Sequence, residues 1–181
     1  KQRSHFQCFC LQRTRTIQMK HYVRHATESD LDFILTLNQA SLEAVSHSNL
    51  KQLHYFLEVA SYFKILCIKD KPAGFLIALM PGLDYESENY RWISKNYDSF
   101  IYVDRIIIDG RYRNMGHGTD LYDDLARSFQ GHAASILCEV NIKPYNGQSI
   151  QFHKKYGFIT IGEKDTENGT KRVTYMMCNI S

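Results

Sequence analysis

Arg113-Asn114-Met115-Gly116-His117-Gly118 follows an apolar run, Ile106-Ile107-Ile108, and precedes a helical stretch from Thr119 to Gln130. Strand, glycine turn and helix in that order suit a phosphorylated ligand. The first turn of a helix carries unpaired backbone N–H groups and about half a positive charge from its dipole. Glycines there let the backbone approach a phosphate without side-chain obstruction. A Walker A loop would end in Gly-Lys-Ser/Thr, whereas Gly118 is followed by Thr119 and Asp120. A dinucleotide fingerprint needs three glycines after an early strand; the two usable glycines here lie late in the chain. The remaining form, Arg-x-x-Gly-x-Gly at a strand-to-helix junction, fits in spacing. The alternative is a glycine turn that only joins strand to helix.

A second stretch reads Asn146-Gly147-Gln148-Ser149-Ile150-Gln151-Phe152-His153-Lys154-Lys155-Tyr156-Gly157-Phe158, with a strand-like Ile136 to Asn141 before it. The hexad resembles the acetyl-CoA pyrophosphate motif of the GNAT superfamily of N-acetyltransferases. The second stretch is similar to that superfamily's other signature, an Asn near a helix start, an aromatic pair, and Gly-Phe opening a strand. Order and spacing agree, and the resemblance covers residues 20–178. It implies the GNAT fold, a mixed, mostly antiparallel α/β sheet flanked by helices. It also implies an enzyme that moves the acetyl group of acetyl-CoA, its cosubstrate, to a primary amine of a small molecule or peptide by direct attack on the thioester.

That reaction makes three demands. The pyrophosphate must be held; the backbone of Asn114, Met115, Gly116, His117, Gly118 and Thr119 is expected to do so, with charge from Arg113. The resemblance assigns the pantetheine amides to the backbone of Ile106, Ile107 and Ile108, and the cofactor arm to Asn146 and Ser149. It also implies a bulge where this strand parts from its neighbour, freeing a backbone N–H for the thioester oxygen. One such donor is typically worth about 2.7–4 kcal/mol. The second demand is a neutral amine. At pH 7 an amine with a pKa near 10.4 gives up its proton at a cost of roughly 4.6 kcal/mol, so a carboxylate is needed as acceptor. Asp104 on the central strand and Glu139 on the next are the candidates. Simple alternation puts Asp104 on one face with Ile106 and Ile108. The competing reading is structural, for example an ion pair of Glu139 with Arg105. The third demand is a proton for the departing thiolate. The family's tyrosine is replaced here by His153, which can donate near pH 6.5 or simply pack; Tyr156 lies on a similar helix face, and water can serve.

The elements that must position these groups follow from periodicity. His21–Ala26 reads as a strand, Thr27–Asp30 as a helix cap, and Leu31 to Ser41 and Asn49 to Ala60 as helices. Tyr62–Lys69 and Gly74–Met80 form a hairpin about the turn Asp70–Gly74. The aromatic, acidic stretch Gly82–Ser99 holds a short helix around Asn89–Lys95 and is either a binding loop or a surface loop pinned by aromatics. Phe100–Asp109, helix Gly116–Phe129, Ala134–Asn141, helix Ser149–Tyr156 and a closing hairpin, Phe158–Glu163 with Arg172–Cys178, complete the domain.

The chain has 181 residues with 22 basic and 19 acidic side chains. Lys1, Arg3, Arg13 and Arg15 fall in the first 18 residues, which hold no acid. Residues 1–18 are therefore expected to be a leader, either dispensable upstream sequence or a basic targeting peptide, and 19–181 the single acetyltransferase domain. That domain is near neutral, which argues against nucleic acid as partner. No apolar run reaches the length needed to span a membrane. Cys67, Cys138 and Cys178 sit in strand-like runs and read as small apolar residues in a reducing, cytoplasmic setting. No sequence spacing suggests a metal, and none is expected. A homodimer across a sheet edge is the expectation for any assembly. The acidic loop Asp84–Tyr90 suits a cationic amine. A non-catalytic acyl-CoA-binding module is the alternative, and the polar set Asp104, Glu139 and His153 favours an enzyme.

Overall fold

The computed structural model describes residues 20–42 and 44–180; the leader expected at 1–18 lies outside them. Seven strands form one sheet in the order β1-β2-β3-β4-β5-β7-β6. They are β1 His21–His25, β2 Tyr62–Ile68, β3 Lys71–Leu79, β4 Phe100–Ile108, β5 Ser135–Lys143, β6 Ile159–Thr166 and β7 Lys171–Asn179. Neighbours pair antiparallel except β4 and β5, which are parallel. A parallel pair needs a crossover helix, and α4, His117–Phe129, supplies it.

Helices cover both faces. α1 Leu31–Gln39, α2 Leu50–Val59 and α3 Glu88–Asn96 put Leu31, Ile34, Leu53, Phe56, Tyr90 and Ile93 against one face. α4 and α5, Gly147–Tyr156, put Leu121, Tyr122, Leu125 and Ile150 against the other. The central strands β2 and β3 are buried on both faces, which is why they read as nearly unbroken apolar runs. No helix among the described residues is long and apolar enough to cross a membrane.

The architecture is the mixed, mostly antiparallel one expected. Three local expectations are corrected. The β2–β3 turn is tighter than Asp70–Gly74. Lys69 and Asp70 both take left-handed φ, 50° and 61°, the conformation of a two-residue hairpin turn, and Lys71 and Pro72 already pair with Ile68 and Cys67. The closing hairpin is longer than expected, because pairing runs on to Thr166 and Lys171. Most consequentially, Asp104 does not share a face with Ile106 and Ile108. Ile77 pairs with Arg105 and Ala78 with Val103, so Asp104 is an extra residue in β4. A bulge of this kind resets the alternation. Ile106 and Ile108 pack toward α4, while Asp104 meets Tyr85 on the opposite side.

Candidate active site

β4 and β5 pair only from Phe100–Ser135 to Tyr102–Leu137. Beyond that point each keeps its outer neighbour, and the two strands part just where the bulge falls. Two cavities open around this gap. One, of about 1110 Å³, is lined by Ile106, Ile107, Ile108, Asn114, Gly116 and Thr119 on the β4–α4 side and by Asn146, Ser149 and Phe152 on α5. The other, of about 900 Å³, holds Asp104 and Glu139 under the loop before α3. Both reach Ile106, Ser149 and His153, where they meet.

The first cavity is built by the glycine turn. Asn114 has φ 60°, and Gly116, at φ 91°, is the left-handed residue before α4. The amides of His117, Gly118 and Thr119 have no carbonyl one turn back to bond, so they are available to an anion at the positive end of the helix. Arg113 Nε donates to Ile108 O at 3.0 Å, which holds the guanidinium beside the end of β4. Met115 is exposed. The two glycines serve different needs. A Cβ on Gly116 would meet nothing within 4 Å, but one on Gly118 would lie 2.8 Å from the Phe152 ring. Gly118 thus lets α4 close on the aromatic pair of the second motif. Forcing an L-residue into the left-handed region costs about 1–2 kcal/mol. Gly116→Ala is therefore expected to weaken coenzyme A binding by about 5–30-fold, read by calorimetry.

Asn146 caps α5; its Oδ1 accepts from Ser149 N at 3.1 Å. The helix-cap role is thus filled, and the amide nitrogen remains as a donor for a ligand in the cavity. His117 turns its ring to Asp120, Nδ1 to Oδ2 at 3.0 Å, and contributes to the loop through its backbone.

In the second cavity the two carboxylates differ sharply. Asp104 Oδ1 accepts from the Tyr85 hydroxyl and Oδ2 from Arg105 Nε, both at 2.6 Å. Arg105 in turn donates to Asn38 Oδ1 at 2.8 Å, under the α1–α2 connection. The structural ion pair is therefore Asp104 with Arg105, not Glu139 with Arg105. Glu139 Oε1 accepts from Asn89 Nδ2 and the Tyr102 hydroxyl, each at 3.0 Å. Its Oε2 is buried without a hydrogen-bond partner among the described residues. Burial, and then the nearby Asp104 charge, push the Glu139 carboxyl up to about 7 against the donated bonds. Glu139 is thus a carboxylate with one free oxygen and a pKa in the working range of a proton acceptor.

His153 is buried, and burial pushes its pKa down to about 4 despite the Ser149 carbonyl. Nδ1 lies 2.7 Å from that carbonyl oxygen, which only accepts, so Nδ1 carries the proton. Nε2 is then the acceptor for the Tyr122 hydroxyl at 2.8 Å. The ring is neutral with both nitrogens engaged, so donation near pH 6.5 is corrected by its burial. The stability sign follows. A folded pKa below the unfolded value means stability is full above about 6.5 and is lost as pH falls toward 4. The loss is on the order of 2–3 kcal/mol, and His153→Gln is expected to flatten that slope in denaturant melts. Tyr156 donates to Asp123 Oδ1 at 3.0 Å, and burial raises its pKa. It lines the glycine-turn cavity rather than the one holding the carboxylates.

Tyr122, Tyr85, Tyr102 and Asn89 also line the carboxylate cavity, and nothing in the sequence singled them out. Tyr122 sits in the apolar stripe of α4 and reads as core; Tyr85 and Asn89 belong to the loop whose acids drew attention. That loop is pinned by aromatics, as one of its two readings expects. Tyr85 and Trp92 pin it, the latter stacked on Tyr175 at 4.0 Å, while Asp84 to Asn89 wall the cavity.

Comparison with known proteins bears on this geometry. Among solved structures, Ard1 from Thermoplasma volcanium aligns with a TM-score of 0.69 at 19% identity, covering 89% of this chain and 98% of that one. Arabidopsis thaliana NAA60 in complex with a bisubstrate analogue gives 0.70 at 14% identity, covering 88% and 98%. The ribosomal-protein-S18-alanine N-acetyltransferase from Escherichia coli gives 0.64 at 18%, covering 90% and 95%. At such identities these likenesses establish the fold alone. A search of curated protein sequences found no match. The model of the acetyltransferase (GNAT) family matches residues 24–158, well over half of the sequence. The chain accordingly belongs to the GNAT family, and it is an acetyltransferase.

Proposed function

We propose that the protein transfers the acetyl group of acetyl-CoA to the primary amine of a small molecule or peptide, with Glu139 as the proton acceptor. The observation that carries this is the free, buried Oε2 of Glu139 in a cavity that meets the glycine-turn cavity at Ile106, Ser149 and His153.

The residues present fit acetyl-CoA. The left-handed Gly116 opens the start of α4 to the pyrophosphate, and the parted β4–β5 edge leaves Ile106–Ile108 backbone for the pantetheine amides. When bound, the cosubstrate supplies an activated acyl carbon. Glu139 accepts a proton from the incoming ammonium, directly or through water, so that the nitrogen lone pair can attack. Its carboxylate is a stronger base than an ordinary one by roughly 300-fold. Asp104, held by Arg105 and Tyr85, keeps its charge near Glu139 and helps hold that pKa up. The thiolate takes its proton from water, because His153 is neutral and Tyr156 faces Asp123.

The cavity's charge points to the acceptor. Asp104 is matched by Arg105 and Glu167 by Lys171. Glu88 is met by Lys164 from outside the wall, and Asp84, Glu86 and Glu139 then stand against Lys51 among the remaining charged wall residues. A negative wall favours a cationic amine. Peptide amines are a natural class to include, since one structural neighbour is by its name a ribosomal-protein alanine N-acetyltransferase. The test is thiol release from acetyl-CoA by the full chain across polyamines, amino acid amides, N-terminal peptides and alcohols. Turnover with cationic amines is expected; turnover confined to alcohols would overturn the reading.

A further inference from the structure

β1 lies at the sheet edge, far in sequence from the glycine turn, yet its first residue reaches the start of α4. Asp120 Oδ2 stands 3.1 Å from His21 Nε2 and 3.0 Å from His117 Nδ1. The two imidazoles meet edge to face with centroids 5.0 Å apart. One donor atom from each of the three residues lies within 4.8 Å of the others. The three side chains take no part in the chemistry derived above, although the His117 backbone amide belongs to the glycine turn. We propose that His21, His117 and Asp120 form a binding site for a divalent transition-metal ion of the zinc type, which clips β1 to the start of α4.

The donor set and its placement carry the proposal. Two imidazole nitrogens and a carboxylate oxygen suit zinc, whereas magnesium and calcium prefer oxygen ligands throughout. Zinc bonds of about 2.0–2.2 Å place tetrahedral ligand atoms roughly 3.3–3.5 Å apart. The His21–Asp120 and His117–Asp120 separations are a few tenths of an ångström shorter and the remaining pair lies within 4.8 Å, so ligation asks for side-chain rotation rather than backbone movement. His117 and Asp120 are three apart on a helix and so share a face. His21 is fixed by strand pairing with Ile68. The site thus rests on two rigid elements rather than on a loop. The His117 side chain is 8% exposed, while those of His21 and Asp120 are 32% and 35% exposed. The ion therefore has a path from solvent and room for water as a fourth ligand.

Without metal, His117 Nδ1 donates to Asp120 Oδ2, while His21 Nε2 stands 3.1 Å from the same oxygen without the alignment of a hydrogen bond. Metal binding replaces the His117–Asp120 hydrogen bond, with His21 ligating through Nε2 and His117 through Nδ1, so that each ring carries its N–H on the other nitrogen, His21 Nδ1 and His117 Nε2. Those outward N–H groups remain free for water. The exchange is a tautomer change and a ligation, with no oxidation or reduction.

The test uses the full chain, treated with a chelator and dialysed, then titrated with Zn²⁺ and, separately, Mg²⁺ by calorimetry. One Zn²⁺ per chain is expected, with no comparable Mg²⁺ uptake. Co²⁺ is expected to give the intense visible absorption of a tetrahedral site. At a zinc excess a hundredfold above its Kd, Tm should rise by about 5–10 °C. His21→Ala and Asp120→Asn should each lower zinc affinity at least tenfold and abolish the Co²⁺ absorption. His21→Gln keeps a hydrogen-bond donor toward Asp120 but is a poor metal ligand; it should retain the metal-free Tm and still lose the zinc-induced rise. Zinc uptake that is unchanged in His21→Gln and Asp120→Asn would place the metal elsewhere and overturn the proposal. So would no uptake by the wild-type chain, which would make the trio a hydrogen-bonded clip only.

Discussion

Glu139→Gln is expected to lower kcat by about 10²–10⁴-fold, the usual worth of a positioned general base, while leaving the Kd for coenzyme A within about twofold. Glutamine keeps an oxygen to accept from Asn89 and Tyr102, so the loss isolates the proton-accepting oxygen. Because Glu139 must be ionised to work, kcat/KM should rise with pH and level off above about 7 in the wild type. That limb should vanish from the residual activity of the variant. Stability should move the other way. Glu139 has a folded pKa of about 7 against an ordinary 4.5, so the native state holds its proton more tightly than the unfolded chain. Its ionisation costs stability as pH rises from about 4.5 to 7, and no further above. Glu139→Gln removes that cost, and the variant should be more stable than wild type at pH 8 by on the order of 1–3 kcal/mol, with the difference fading toward pH 4.5. Lower activity with higher alkaline stability is a pairing that a purely structural Glu139 would not give. Equal kcat in the two proteins would remove it as the base.

The second large effect is expected at the bulge. The Asp104 and Arg105 side chains are 5% and 4% exposed and bonded at 2.6 Å. Removing one partner of a buried pair leaves an uncompensated charge and costs about 3–5 kcal/mol, whereas replacing both with apolar groups costs far less. Arg105→Met or Asp104→Leu alone should therefore depress stability by that amount in urea melts, and the double variant should recover most of it. The single Arg105→Met change should also shift the kcat/KM limb. Arg105 partly offsets the Asp104 charge that raises Glu139, so its loss should move the limb to higher pH. An unmoved limb would mean that Asp104 and Arg105 serve the fold alone.

Much of the fold was legible in the sequence because it is local. The apolar runs of β2 and β3 and the stripe Leu121, Leu125 and Phe129 on α4 each declare themselves within a few residues. The glycine turn was legible for the same reason, since left-handed backbone at Gly116 is written as a glycine. Asp104 was misplaced because a bulge leaves no mark in residue types. Alternation is a rule about pairing, and the extra residue exists only relative to β3. The helix histidine read from the second motif was found, but its state was not. His153 stands near pKa 4 because Tyr122, Phe152 and Phe158 enclose it, and that enclosure joins two helices and the start of a strand.

Sequence alone determined the order of elements, the glycine turn before α4, and the short list that contained both Asp104 and Glu139. Those features depend on backbone propensity and on periodicity along one segment. Only the tertiary structure set the two acids apart. That difference turns on Arg105 and Tyr85 closing around Asp104 while Glu139 keeps an unpartnered oxygen, and on the shared burial that raises its pKa. It likewise brought His21 beside His117 and Asp120, a convergence invisible to a search for ligand spacing along the chain. Charge state and ligation are set by neighbours in space, and the sheet, by placing β1 and β4 beside elements distant in sequence, chose those neighbours.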